Sequence, residues 1–130
     1  MAEVPRILVA DDSPTSLVWE KLILREESYE IVAAKDGHQA LKLALEKRPH
    51  LIILDVVMPG MSGLEVCQEL RRSSAPRSIP IIGVSERTEQ ADIDAARRAG
   101  CDDFLKKPVD KDQLLDVVSR RLRRARLSTD

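Results

Sequence analysis

Apolar residues along the chain follow two alternating periodicities. Short, nearly continuous runs occur at 6–10 (RILVA), 29–34 (YEIVAA), 51–55 (LIILD), 79–85 (IPIIGVS) and 103–106 (DFLK), separated by longer stretches with helical spacing. Runs of Ile, Leu and Val without polar interruption are what strands covered on both faces require. Between the first two runs, Leu17, Val18, Leu22 and Leu24 lie roughly on one side of a helix predicted over 15–26, with Ser13 as N-cap and Pro14 at its first position. Residues 37–47 repeat the pattern with Ala40, Leu41, Ala44 and Leu45, and residues 64–72 with Leu64, Cys67 and Leu70. The alanine-rich stretch 89–99 closes at Gly100, a residue suited to the left-handed turn that ends a helix. A last helix starts near Asp110 and carries Leu114, Val117, Val118 and Leu122. Five strand–helix units in strict alternation predict an α/β fold: a doubly wound, five-stranded parallel sheet with right-handed crossovers and five helices on its two faces. No linker, repeat or low-complexity segment divides the chain, so one domain is predicted over 1–130, with its core at about 6–122 and a basic tail over 120–130.

Composition narrows the function classes. The 130 residues suffice to bury a core without disulfides or a structural metal, and the aromatic share of 2% makes that core aliphatic. So few aromatic rings argue against single-stranded nucleic acid, which is bound by stacking. A formal net charge of -1 attracts neither nucleic acid nor membrane. No apolar run approaches the roughly 18 residues of a membrane span, and the acidic Glu3 in the leading MAEVPRILVA is unlike a signal peptide. Cys67 and Cys101 lack any CxxC or metal spacing and read as reduced, small, buried residues. A cytoplasmic location is the expectation.

The chemistry stands where the apolar runs end. In such a sheet, ligands bind outside the carboxyl ends of the strands. The first run ends in Asp11 and Asp12, the third in Asp55, the fourth in Ser85, and the fifth in Lys106 and Lys107 before Pro108. Each aspartate alone is an ordinary turn or cap residue; the set converges on one edge. Three carboxylates at one edge repel each other and titrate as a coupled group. A hard divalent cation relieves that repulsion, and oxygen ligands without Cys or His fit Mg²⁺ better than zinc. A lysine adds a second positive charge suited to a phosphate oxygen, and an acid beside both can attack phosphorus to form an aspartyl phosphate.

These residues resemble the receiver domains of two-component signalling, similar to the stand-alone chemotaxis regulators. ILVADDSPT, LIILDVVMPGMSGLEV, IPIIGVS and DDFLKKPVD match the family's motifs in order and spacing, from about Arg6 to Leu122. The resemblance implies a flavodoxin-like strand order 2-1-3-4-5, with Asp55 as phosphoacceptor. It implies that Asp12, Asp55 and the Val57 backbone carbonyl ligate Mg²⁺ (or Mn²⁺) directly, with Asp11 acting through a metal-bound water. Lys107, directly before Pro108 across a cis bond, corresponds to the family's lysine, and Lys106 to a solvated neighbour. Ser85 corresponds to the hydroxyl residue that hydrogen-bonds the phosphoryl group. Phe104 corresponds to the switch aromatic, and as the only Phe it reads equally as a core anchor. The donor implied is a histidine kinase or phosphotransfer protein. The output implied is a downstream partner at the face of helix four, strand five and helix five, with homodimerisation on phosphorylation open. Such a domain assists its own phosphorylation and dephosphorylation and is otherwise not an enzyme.

The chain departs from the family pattern at Glu86, where a small residue is usual. That carboxylate stands either in the phosphodonor's path, adding negative charge near an incoming anion, or in solvent. Val57 and Arg87 occupy positions that tune hydrolysis, and an apolar Val57 predicts a relatively long-lived aspartyl phosphate. A degenerate receiver that docks partners without phosphorylation is the alternative reading, favoured by Glu86 and opposed by the complete acid–hydroxyl–lysine set. A haloacid-dehalogenase-type phosphatase needs Asp-x-Asp on the first strand, whereas this chain has Asp11, Asp12 and Ser13. Flavin-binding loops, a P-loop and GxGxxG are missing. His38 and His50 read as surface or capping residues, Met58 and Met61 as loop-shaping residues. Trp19 reads as partly buried against the sheet. The five arginines of RRLRRAR at 120–126 read as the solvated end of the last helix, with binding to an anionic partner as the second reading.

Overall fold

The computed structural model describes residues 4–73 and 79–128. Ten elements alternate: β1 (Arg6–Ala10), α1 (Pro14–Leu24), β2 (Glu30–Ala34), α2 (Gly37–Lys47), β3 (Leu51–Asp55), α3 (Gly63–Arg72), β4 (Ile81–Ser85), α4 (Gln90–Ala99), β5 (Asp103–Lys106) and α5 (Lys111–Ser128). The strands form one parallel sheet in the order β2-β1-β3-β4-β5, as expected. Strand-by-strand alternation divides the core. Ile7, Val9, Leu51 and Ile53 point to the face covered by α1 and α5, where they meet Leu17, Ile23, Leu114 and Val118. Leu8, Ala10, Ile52 and Leu54 point to the other face, against Ala40 and Ala44 of α2 and Val66 and Cys67 of α3. β3 and β4, central and covered on both sides, are buried at every residue, which is why their runs are continuously apolar.

Local chemistry sets the helix ends. Ser13 caps α1, its hydroxyl accepting from the Ser16 N–H at 3.3 Å, with Pro14 at the first position. Ser62 and Glu65 form a reciprocal capping box on α3. Gly100 ends α4 at φ 114, where a side chain is disfavoured. Arg71 of α3 fastens the α4–β5 corner: its guanidinium donates to the Gly100 carbonyl (2.7 and 3.1 Å), the Ile79 carbonyl (2.8 Å) and the Asp102 carboxylate (3.0 Å).

The structure corrects the reading of α1. Val18 and Leu22 are 56% and 52% exposed, whereas Leu17, Glu20, Ile23 and Leu24 face inward. The helix packs at the spacing of residues 17, 20, 23 and 24, so its inner stripe includes an acid that hydrophobicity alone assigns to the outside. It also ends at Leu24, two residues short of the predicted 26, in a tighter turn in which the Glu26 and Glu27 N–H groups donate to the Ile23 and Leu24 carbonyls. Leu45 of α2 likewise lies mainly in solvent, and only Ala40 and Ala44 of that predicted face are buried. Cys101 is half-buried rather than buried. Trp19 is 42% exposed, and its indole meets the loop after β5 rather than the sheet. Among the described residues, no helix is long and apolar enough to cross a membrane.

Candidate functional site

Three strands of the parallel sheet end at one edge and carry the site. β1 delivers Asp11, β3 ends in Asp55, and β5 leads directly into Lys107. Their order in the sheet places β3 between β1 and β4, with β5 beyond β4. The path of the chain fixes each end. The Asp11 N–H donates to the Ala34 carbonyl (3.1 Å), and the Lys107 N–H to the Ser85 carbonyl (2.9 Å). Gly63 is required by this packing: a Cβ there would lie 2.0 Å from the Asp55 carbonyl oxygen. Gly37 similarly lets α2 approach the loop after β3, since its Cβ would meet the Met61 carbonyl oxygen at 1.9 Å.

The side chains converge as expected from the strand ends. Carboxylate oxygens of Asp11, Asp12 and Asp55 lie within 4.8 Å of one another. Asp11 and Asp55 are buried, and Asp12 is exposed at the mouth. The buried Lys107 ammonium donates to Asp11 Oδ1 and Asp55 Oδ2, each at 3.2 Å, and pairs with Asp11 Oδ2 at 3.0 Å. The peptide bond between Lys107 and Pro108 is cis. Burial opposes the charge of Lys107, but the bonds to Asp11 and the neighbouring Asp55 outweigh it and raise its pKa above the ordinary lysine value. Burial and the charge of Asp11 push Asp55 up to about 7 against the opposing pull of Lys107.

The remaining predicted residues fall around this centre. Ser85 is buried at the end of β4, and its Oγ accepts the Arg87 N–H at 3.0 Å, which leaves the hydroxyl proton to donate elsewhere. The Val57 N–H donates to Asp55 Oδ1 at 3.1 Å while the Val57 side chain is 59% exposed. Phe104 is half-buried on β5, paired with Gly83; a Cβ on that glycine would lie 3.4 Å from the ring. Glu86 and Arg87 are both exposed and line a surface hollow with Thr88, Glu89 and Asp92. Lys106 is exposed, as expected for the solvated neighbour. His50 Nδ1 accepts the Arg6 N–H (2.9 Å), a structural role, and His38 is exposed. Met58 is buried in the loop after β3. Of the basic tail, Arg120 pairs with Asp116 and Arg121 with Asp103, while Arg126 lies outside the described side chains.

One buried acid escaped the sequence reading. Glu20 of α1 is 1% exposed and lies near Asp11; burial and then the charge of Asp11 push its pKa up to about 8. Among the described residues its Oε1 receives no hydrogen bond. The signal available was its position three residues from both Leu17 and Ile23, on the inner stripe.

The cluster is a good seat for a hard cation. Its donors are all oxygen, and three carboxylates face a single ammonium, so negative charge remains to be neutralised. A 2-1-3-4-5 parallel sheet with an acid–lysine cluster at its carboxyl edge defines a flavodoxin-like α/β domain with a polar site at its strand ends. Residues 7–119 match the family model described as the response regulator receiver domain, and the chain belongs to that family of two-component systems. It is 32% identical over 114 residues to Protein PilH of Pseudomonas aeruginosa, covering 88% of this chain and 94% of PilH. It is 38% identical over 119 residues to the DNA-binding response regulator MtrA of Mycolicibacterium smegmatis, covering 92% of this chain and 51% of MtrA. The chain thus spans about half the length of MtrA and nearly all of PilH. Among solved structures, the receiver domain of sensor histidine kinase PA1611 from Pseudomonas aeruginosa PAO1, with a magnesium ion coordinated in its active site cleft, superposes with a TM-score of 0.85. The two are 28% identical over 92% of this chain and 98% of that one.

Proposed function

We propose that this domain accepts a phosphoryl group on Asp55 and passes the change to a partner protein. The observation that carries the reading is the buried Lys107 ammonium, held 3.2 Å from Asp55 Oδ2 and shared with Asp11 at the strand ends. An Asp55 carboxylate oxygen attacks phosphorus while the P–N bond of a donor phosphohistidine breaks. The imidazole leaves with the bonding electron pair and takes up a proton. The donor is accordingly a histidine kinase or a phosphotransfer protein. Lys107 neutralises charge on a phosphoryl oxygen during transfer. Asp12, Asp55 and the Val57 carbonyl would hold Mg²⁺ or Mn²⁺, with Asp11 supporting the ion from behind. The ion supplies charge neutralisation at the phosphoryl oxygens. Lys107 bridges Asp11 and Asp55, whose carboxylates also accept the Ser13 and Val57 N–H groups.

The Ser85 hydroxyl, with its proton unused, donates to the phosphoryl group once that is present, drawing the β4–α4 loop inward. Phe104, packed beside Gly83 on the adjoining strand, turns with it. Phosphorylation shifts a pre-existing equilibrium and changes the preference of the α4–β5–α5 face for its partner, a downstream protein or a second copy. An exposed, apolar Val57 positions attacking water poorly, so the aspartyl phosphate is relatively long-lived. Incubation with acetyl phosphate and Mg²⁺, followed by intact mass, tests the reading. A metal-dependent gain of one phosphoryl group that Asp55→Asn abolishes is expected. No gain, with a phosphorylated histidine kinase as well, would leave a docking module that works without phosphorylation.

A further inference from the structure

We propose that Trp19 is a positioning residue for Lys107: its indole clamps the β5–α5 loop and thereby sets where the ammonium stands between Asp11 and Asp55. The proposal rests on the phosphoacceptor reading for its consequence, but not for the clamp itself. Trp19 Nε1 donates to the Val109 backbone carbonyl at 2.8 Å, a contact that joins residues 90 positions apart.

The loop between β5 and α5 is four residues long, from Lys107 to Asp110. Its upstream end is tied to the sheet by the Lys107 N–H on the Ser85 carbonyl (2.9 Å). Its downstream end is the cap of α5, where the Asp110 carboxylate accepts the Gln113 N–H (2.9 Å). Between these ties, Pro108 has no N–H to donate and its ring fixes φ, so Lys107 and Val109 are joined by a stiff link. A displacement of the Val109 carbonyl is therefore passed to the Lys107 backbone rather than absorbed. The Val109 side chain is 3% exposed and packs in the α1–α5 core, so carbonyl and side chain are held from two directions.

The ammonium is sensitive to small shifts. Its hydrogen bonds to Asp11 Oδ1 and Asp55 Oδ2, both 3.2 Å, are already long for charge-assisted pairs, and its other approach, to Asp11 Oδ2, is 3.0 Å. A loop that drifts outward lengthens both bonds and leaves two buried carboxylates facing each other. The described ion pair between the turn after α1 and α5, Lys111 with Glu26 at 2.9 Å, lies half in solvent and contributes little to holding the loop. The indole N–H is thus the specific tie from α1 to the lysine.

Trp19 is the single tryptophan of the chain, so replacing tryptophan by benzothienylalanine during synthesis exchanges only this N–H for sulfur and keeps the ring. That form and Trp19→Phe are compared with wild type and with Glu26→Gln as control. The first readout is the ¹⁵N-edited signal of the Lys107 ammonium in the full chain without phosphodonor. The second is the initial rate of mass gain from acetyl phosphate. Both Trp19 forms are expected to move or broaden the ammonium signal and to slow phosphorylation by about fivefold, the effect of one lost hydrogen bond. Glu26→Gln is expected to leave both readouts at wild type. An ammonium signal that superposes on wild type in the benzothienylalanine form overturns the clamp, as does an equal change in Glu26→Gln. A moved signal with an unchanged rate overturns its bearing on transfer. If wild type itself takes no phosphoryl group, the phosphoacceptor reading fails, and the ammonium signal still decides the clamp.

Discussion

Replacing Glu20 by Gln should stabilise the metal-free domain, and by an amount that grows with pH. In the folded chain Glu20 is 1% exposed and titrates near 8; in the unfolded chain it returns to the ordinary value of 4.5. Between those values the folded state holds a proton that the unfolded state has released, so unfolding becomes easier as pH rises. From 4.5 to pH 7 is 2.5 pH units at about 1.4 kcal/mol each, a penalty of about 3 kcal/mol at neutrality. Gln has the same shape and cannot ionise, so it escapes this penalty while leaving Asp11 in place. Urea unfolding in EDTA, from pH 4.5 to 8.5, measures both chains. Their stabilities should converge near pH 4.5 and differ by about 3 kcal/mol at pH 7, and the gap should stop growing above pH 8. A difference constant within about 1 kcal/mol across that range would refute the assignment of Glu20 as a buried, protonated acid.

Three further outcomes are expected. Gly63→Ala should cost more than about 3 kcal/mol in urea unfolding, because its Cβ would lie 2.0 Å from the Asp55 carbonyl oxygen, a backbone atom that no side-chain rotation can move aside; a near-neutral result would mean that the loop after β3 is slack. Mg²⁺ at 100 times its Kd should raise stability by about 2.7 kcal/mol, and both Asp12→Ala and Asp55→Asn should diminish that gain in a thermal-shift titration. Lys107→Met should keep Mg²⁺ binding, since the oxygen ligands remain, but slow mass gain from acetyl phosphate by about a hundredfold through loss of the charge that meets the phosphoryl group; wild-type rates would remove Lys107 from the chemistry.

The strand runs were legible because β3 and β4 are covered on both faces, which forbids polar residues at any position of LIILD before Asp55 and of IIGVS before Ser85. The acidic cluster was legible for a related reason: polar residues that end buried strands must sit at the sheet edge, and parallel strands share one edge. Ser13 with Pro14, and Gly100, marked helix ends because their backbone preferences are local. The inward stripe of α1 was not legible. Val18 and Leu22 are as hydrophobic as Leu17 and Ile23, and only the rotation of the helix against α5 and β1 decides which pair meets the core.

The sequence by itself therefore determined the alternation of elements, the parallel sheet and the set of groups at its edge, because periodicity, caps and strand ends are properties of neighbouring residues. Tertiary packing alone decided that Glu20 stands buried beside Asp11, that Lys107 bridges Asp11 and Asp55, and that the Trp19 indole reaches the Val109 carbonyl. Those contacts join residues far apart in the chain, and their energies depend on burial and distance, quantities that do not exist until the helices have closed on the sheet.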